Sequence, residues 1–185
     1  MPHIDLGNDA TGIRSLFLYR PETATLIAAL ADVLLRGPST LERWERELIA
    51  THVSALNHCT FCASSHAGVT AVHAPGGLNL LTIRDDATAV PVSDKLRTLL
   101  DIAAAVQKNG RAVTTELVER SRAVGATDLE IHDTVLIAAA FCLANRYVDG
   151  LAAVTPDDPE IYAEGAMYLA ADGYLPLTFG AGTRA

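Results

Sequence analysis

Helix-start signals recur along this chain, and apolar residues at helical spacing follow each of them. Pro21 suits the first turn of a helix, and PETATLIAALADVLLRG after it reads as an amphipathic helix closing near Gly37. Ser39 and Glu42 match a capping box, which places the next helix at about Thr40–Leu56, with Leu41, Trp44, Leu48, Ala55 and Leu56 supplying core. Ser93 caps a helix to about Lys108, stopped by Gly110. Thr114 or Thr115 opens a shorter one ending at Gly125. Thr127 and Glu130 form a second capping box, whose helix runs to about Ala153. Between Val135 and Ala144 that helix has little polar surface, so it belongs at the centre of the molecule or at a subunit contact. Ile13–Tyr19 makes one or two helical turns, and LNLLTI within 78–92 stays unassigned. TPDDP breaks the chain at 155–159 before an amphipathic helix over Ile161–Ala170 and a loose Gly-rich tail. Half of the residues are hydrophobic but only 5% are aromatic, a balance that favours packed helices over sheet. The expectation is an all-α bundle of about six to eight helices. It forms a single domain over 1–185, with an extended N-terminal arm at 1–12 and a C-terminal extension at 155–185.

The formal net charge is −8, with no run of Lys or Arg. Nucleic-acid binding needs a basic patch, so that class is excluded as an expectation. The start, MPHIDLGNDATG, lacks a basic region followed by an apolar run. The longest apolar stretches, Leu26–Leu35 and Val135–Leu143, are too short to cross a bilayer. A cytoplasmic protein without a membrane partner is expected. Three cysteines in a reducing compartment do not make a disulfide framework, and a C-x-x-C there serves catalysis or metal binding.

That pair, Cys59 and Cys62, lies in ELIATHVSALNHCTFCASSH, residues 47–66, with His66 four positions after the second cysteine. Positions i, i+3 and i+7 share a helix face, which lines up two thiols and an imidazole. In one unbroken helix Glu47 would stand about three turns from Cys59, out of reach. With a break at Asn57, read as the N-cap of a separate cysteine helix ended by Pro75-Gly76-Gly77, the two helices fold back and the contact becomes possible. Cysteines at i, i+3 come within the Cα range of a disulfide. A bridge closing so small a loop restricts the unfolded chain little, so its value lies in being made and broken. A helix N-terminus would activate Cys59, whereas His66 as base would activate Cys62; the residues leave both open.

Glu47, Cys59, Cys62 and His66, a glutamate twelve residues before a C-x-x-C and a histidine four after it, resemble the alkylhydroperoxidase D and carboxymuconolactone decarboxylase superfamily. The likeness is strongest over roughly residues 40–75; FCLANR at 141–146 is similar to the family's later helix, and the tail beyond 155 to the extension of its peroxidase-related members. The resemblance implies an all-α fold, a homo-oligomer, and antioxidant reduction of hydroperoxides by a redox-active thiol pair with no metal or organic cofactor. Cys62 would attack the peroxide and become a sulfenic acid, and Cys59 would condense with it to a disulfide that an external dithiol or protein reductant reopens. Glu47 and His66 would form the proton relay. Alkylhydroperoxidase D proper carries a further histidine between the cysteines and uses a lipoylated partner. Here that position is Phe61, so one relay member is missing.

Other readings compete. C-x-x-C-x-x-x-H offers three zinc ligands, with Glu47 or His58 as a fourth, and two inert core cysteines would also fit. A decarboxylase-like lyase would use His66 and Glu47 and ignore thiol alkylation; a non-enzymatic redox sensor would change its assembly on oxidation. His52 and His73 read as surface or packing residues, His132 has no role, and Cys142 is packing. Asn145 is a candidate pocket-lining residue, Arg146 a salt-bridge or subunit contact, and Trp44 and Phe61 core or pocket wall.

Overall fold

A computed structural model describes residues 1–178. Among the described residues there are nine α-helices and no strand. They are α1 (Gly12–Tyr19), α2 (Pro21–Arg36), α3 (Arg43–Leu56), α4 (Thr60–His73), α5 (Leu80–Asp85), α6 (Asp94–Lys108), α7 (Thr115–Ala123), α8 (Asp128–Gly150) and α9 (Pro159–Asp172). The expected all-α architecture is observed, with more helices than the sequence suggested because LNLLTI contributes α5, capped by the Asn79 side chain.

The central helix is α3. Every residue from Arg46 to Ser54 is buried, and α2, α4, α5, α6 and α8 all pack on it. Such all-round burial of polar residues requires partners. Arg46 donates through Nη1 to the carbonyls of Leu34 (3.0 Å) and Gly37 (2.9 Å), closing the C-terminus of α2. Thr51 and Ser54 donate to carbonyls one turn back. The expected start of this helix moves: the box is Glu42 with Glu45, while Ser39 accepts from the Leu41 N–H, so α3 begins at Arg43. Leu56, expected in the core, is exposed.

The long helix α8 opens at the expected Thr127–Glu130 box. Its apolar stretch is one-sided: Ile137, Ala138 and Phe141 face the core, while Leu129, Leu136 and Leu143 are exposed. Before α1, the arm forms no helix but is tied down, with Leu6 buried and the His3 N–H donating to the Leu151 carbonyl at 3.0 Å. Helix α9 lies on α4, and Gly68 permits the approach, since a Cβ there would come 2.8 Å from Ala166 Cβ.

Candidate active site

The site is built by the turn between α3 and α4. The Cys59 N–H donates to the Ser54 carbonyl (3.0 Å) and the His58 N–H to the Ala55 carbonyl (2.9 Å), the paired bonds of a Schellman close. His58 occupies the left-handed position at φ +60°, where glycine is usual. A break in this region was expected, but its parts are reassigned. Asn57 is the C-cap of α3, and Cys59 itself is the N-cap of α4. Asn57 faces the bundle, donating to Asn145 Oδ1 (2.8 Å) and accepting from Gln107 (3.0 Å), while Asn145 donates to Ser54 Oγ (3.0 Å). Asn145 is therefore buried scaffold that locks the turn to α8, not pocket lining.

Folding α4 back on α3 brings Glu47, eleven residues before His58, level with His66, eight after it. Glu47 Oε2 stands 2.7 Å from His66 Nδ1. The carboxylate is 1% exposed and the histidine 9%. A carboxylate only accepts, so its partner nitrogen Nδ1 is the one placed to donate, and Nε2 is the one turned away from Glu47. Phe141 of α8 meets the imidazole edge-on, with ring centroids 4.5 Å apart.

One member of this cluster went unread in the sequence. Tyr174, just past α9, is 5% exposed and donates its hydroxyl to Glu47 Oε1 at 2.6 Å. The hydroxyl also stands 3.3 Å from His66 Nδ1, and its ring stacks on the imidazole with centroids 5.6 Å apart at 22°. Burial first, and then the Glu47 charge, push its phenol well above the ordinary tyrosine range, so it keeps its proton and donates. The only local sign was an apolar Tyr-Leu-Pro-Leu after the helix-stopping Gly173.

All three cysteines are free. Cys59 and Cys62 take the N-cap and N3 positions of α4, which face each other. Contact with the Cys62 thiol first, and burial second, push the Cys59 thiol far up, so it stays protonated. Cys59 is fully buried, whereas Cys62, 4% exposed, opens with Ser65 and His66 onto a cavity of about 1190 Å³. The cavity walls are mostly apolar, among them Phe61, Phe141, Tyr162 and Leu169. Phe61 thus lines the cavity as expected and meets Tyr162 edge-on. Trp44 packs against the main core, and Cys142 is half-buried, accepting from Asn57 at 3.6 Å.

His52, His58 and His132 lie apart from this cluster. His58 and His132 are exposed, and His132 pairs with the adjacent Asp133. His52 is buried, and burial pushes it below the ordinary histidine value. Among the described residues, no group of three or more His, Cys, Asp or Glu is placed to hold a metal ion. Arg146 donates to the Cys142 carbonyl within its own helix.

A sequence model of the carboxymuconolactone decarboxylase family matches residues 21–73, the segment that holds α2, α3 and α4 with all four predicted site residues. Comparison with curated proteins yields no match. Among solved structures, an uncharacterised peroxidase-related protein from Ralstonia eutropha JMP134 with an alkylhydroperoxidase D core superposes with a TM-score of 0.72 at 27% identity, over 82% of this chain and 80% of that one. An uncharacterised peroxidase-related protein from Silicibacter sp. TM1040 gives 0.73 at 22% identity, over 82% and 78%. A protein of unknown function from Agrobacterium tumefaciens, proposed for antioxidant defence as an alkylhydroperoxidase D, gives 0.63 at 24%, over 75% and 93%. The family match over α2–α4 and the shared helical bundle together support a place for this chain in the alkylhydroperoxidase D and carboxymuconolactone decarboxylase superfamily.

Proposed function

We propose that this protein is a thiol-dependent peroxidase, a disulfide oxidoreductase that reduces organic hydroperoxides through Cys62 and Cys59. The observation that carries the reading is the unequal setting of the two thiols. Cys62 faces the cavity beside His66, and Cys59 is sealed behind it with its proton held. Of the two nucleophiles that the sequence left open, this setting favours Cys62.

In the reaction, the Cys62 sulfur attacks the terminal oxygen of the hydroperoxide and the O–O bond breaks. The alkoxide leaves as the alcohol with a proton relayed by His66, whose Nδ1–H rests on Glu47. Cys62 is then a sulfenic acid. The Cys59 thiol attacks that sulfur, water leaves, and the two thiols are oxidised to a disulfide as one peroxide is reduced. An external dithiol or protein reductant returns both thiols by exchange. The apolar cavity suits a carbon-bearing hydroperoxide over hydrogen peroxide. The thiols carry the electrons, so no cofactor enters the scheme. A homo-oligomer in the cytoplasm, where reductants keep the pair reduced, completes the reading.

The test is consumption of cumene hydroperoxide with dithiothreitol as reductant. Cys62→Ser abolishes turnover, and Cys59→Ser given peroxide without dithiothreitol consumes one equivalent and stops with a dimedone-reactive sulfenic acid on Cys62. Unaltered turnover in Cys62→Ser would overturn the assignment. Turnover that survives alkylation of the thiols would point to His66–Glu47 acid–base chemistry instead.

A further inference from the structure

We propose that Tyr174 is a positioning residue of the relay, delivered to Glu47 by a clip between the C-terminal segment and α2. The inference rests on the peroxidase reading for its consequence in turnover, but not for its geometry.

The clip is specific. Asp32 of α2 accepts the Tyr174 N–H on Oδ1 (2.9 Å) and the Leu175 N–H on Oδ2 (3.2 Å). Arg36, one turn on and 3.4 Å from Asp32, donates to the carbonyls of Leu169 (2.8 Å), Ala170 (3.0 Å) and Ala171 (3.2 Å) at the C-terminus of α9, the first of which also accepts the Gly173 N–H (3.1 Å). Gly173 turns the chain between them at φ +85°, and a Cβ there would meet Asp32 Oδ1 at 2.6 Å. Five backbone groups and one glycine thus fix where the tyrosine enters.

What the tyrosine does follows from the Glu47 carboxylate. Both of its oxygens are engaged, one by the phenol and one by the imidazole. That double hold fixes the carboxylate plane, and with it the His66 tautomer and ring direction. The hydroxyl stabilises a carboxylate facing a neutral imidazole more than one already neutralised by an imidazolium. Removing it therefore favours the charged imidazole and moves the His66 titration to higher pH. The other charged or titratable groups around the pair are Arg36 of α2, Arg43 and Arg46 of α3, and Cys59, Cys62 and His73 of α4, with Tyr162 and Asp172 of α9 toward the cavity. None of them changes in the variants below, where the one charged group altered is Asp32, the partner of Arg36.

The experiment follows the His66 imidazole by NMR as pH is varied, assigned with His66→Gln, alongside the rate of Cys62 alkylation mapped by mass spectrometry. Tyr174→Phe keeps the stacked ring and deletes the hydroxyl. The expected result is an upward move of the His66 midpoint, a matching shift in the alkylation profile, and kcat lower by roughly tenfold with KM little changed. Should Tyr174→Phe not fold, Asp32→Ala leaves the phenol in place, weakens its delivery, and is expected to move the midpoint the same way. A folded Tyr174→Phe whose His66 titration overlays the wild type overturns the proposal, as does an unmoved titration in Asp32→Ala if that variant must carry the test. Wild-type protein that consumes no peroxide would remove the peroxidase reading alone, because the titration needs no peroxide.

Discussion

Single positions carry most of the chemistry. Glu47 would be unremarkable surface charge in a helix of its composition, yet it is among the most buried residues of the chain, held by two donors. The sequence could single it out only through spacing to the cysteines, and that spacing works because a sharp turn intervenes. His58 makes the turn at a backbone angle that costs an L-residue about 1–2 kcal/mol. Its side chain is exposed and stands outside the Glu47 cluster. His58→Gly is therefore expected to raise the urea midpoint, by up to about 1 kcal/mol of stability, with peroxide turnover unchanged. A loss of turnover without a loss of stability would give His58 a chemical role. Tyr174 was illegible for the opposite reason. Its partner lies 127 positions away, and no periodicity or capping pattern encodes a contact of that range.

At the level of elements, local signals were legible wherever a cap is local. Ser93, Thr114 and Thr127 each accept the expected backbone N–H, because an N-cap reads only its own next three residues. The start of α3 slipped because two overlapping boxes, Ser39–Glu42 and Glu42–Glu45, satisfy the same rule, and tertiary packing selects the second. Glu130 shows how a local cap acquires a wider duty. Its Oε2 accepts the Thr127 N–H (2.8 Å), while Oε1 accepts from Lys95 of α6 (2.7 Å) and from Thr40 before α3 (2.9 Å). Burial works against the charge, but these three donors outweigh it and hold the carboxyl below the ordinary glutamate value of 4.5. Since the folded value is the lower one, the stabilisation is fully present above the unfolded value and drains away as pH falls through the folded one. Urea unfolding between roughly pH 3 and pH 7 should show wild type losing stability on the acid side, and Glu130→Gln less stable at neutral pH with a flatter acid limb. An acid limb of the same steepness in Glu130→Gln would assign the loss to other carboxylates.

For the whole molecule, the bundle wraps the middle of α3, Arg46 to Ser54, and leaves other helices half-covered. Leu129, Leu136 and Leu143, seven residues apart, form an exposed stripe along α8, and Leu26, Leu30 and Val33 do the same on α2. Apolar stripes of that kind mark association surfaces. The sequence pointed to α8 as central or at a subunit contact; its inner face packs in the core, and we propose its outer stripe as a subunit contact. The expectation is a mass by light scattering at a multiple of 19.6 kDa, reduced in Leu136→Glu, Leu143→Glu protein that stays helical. A wild-type monomer would contradict it. No described helix is long and apolar enough to cross a membrane. A bridge between Cys59 and Cys62 would lie within one turn of α4, so oxidation should leave both the helical content and the mass unchanged, unlike a sensor that reassembles. The account stands or falls on the two thiols acting together. The direct measurement is a count of thiols in denaturant before and after one equivalent of cumene hydroperoxide. Three thiols should fall to one, Cys142, and return to three with dithiothreitol; a count that stays at three, or a loss confined to Cys142, would contradict it.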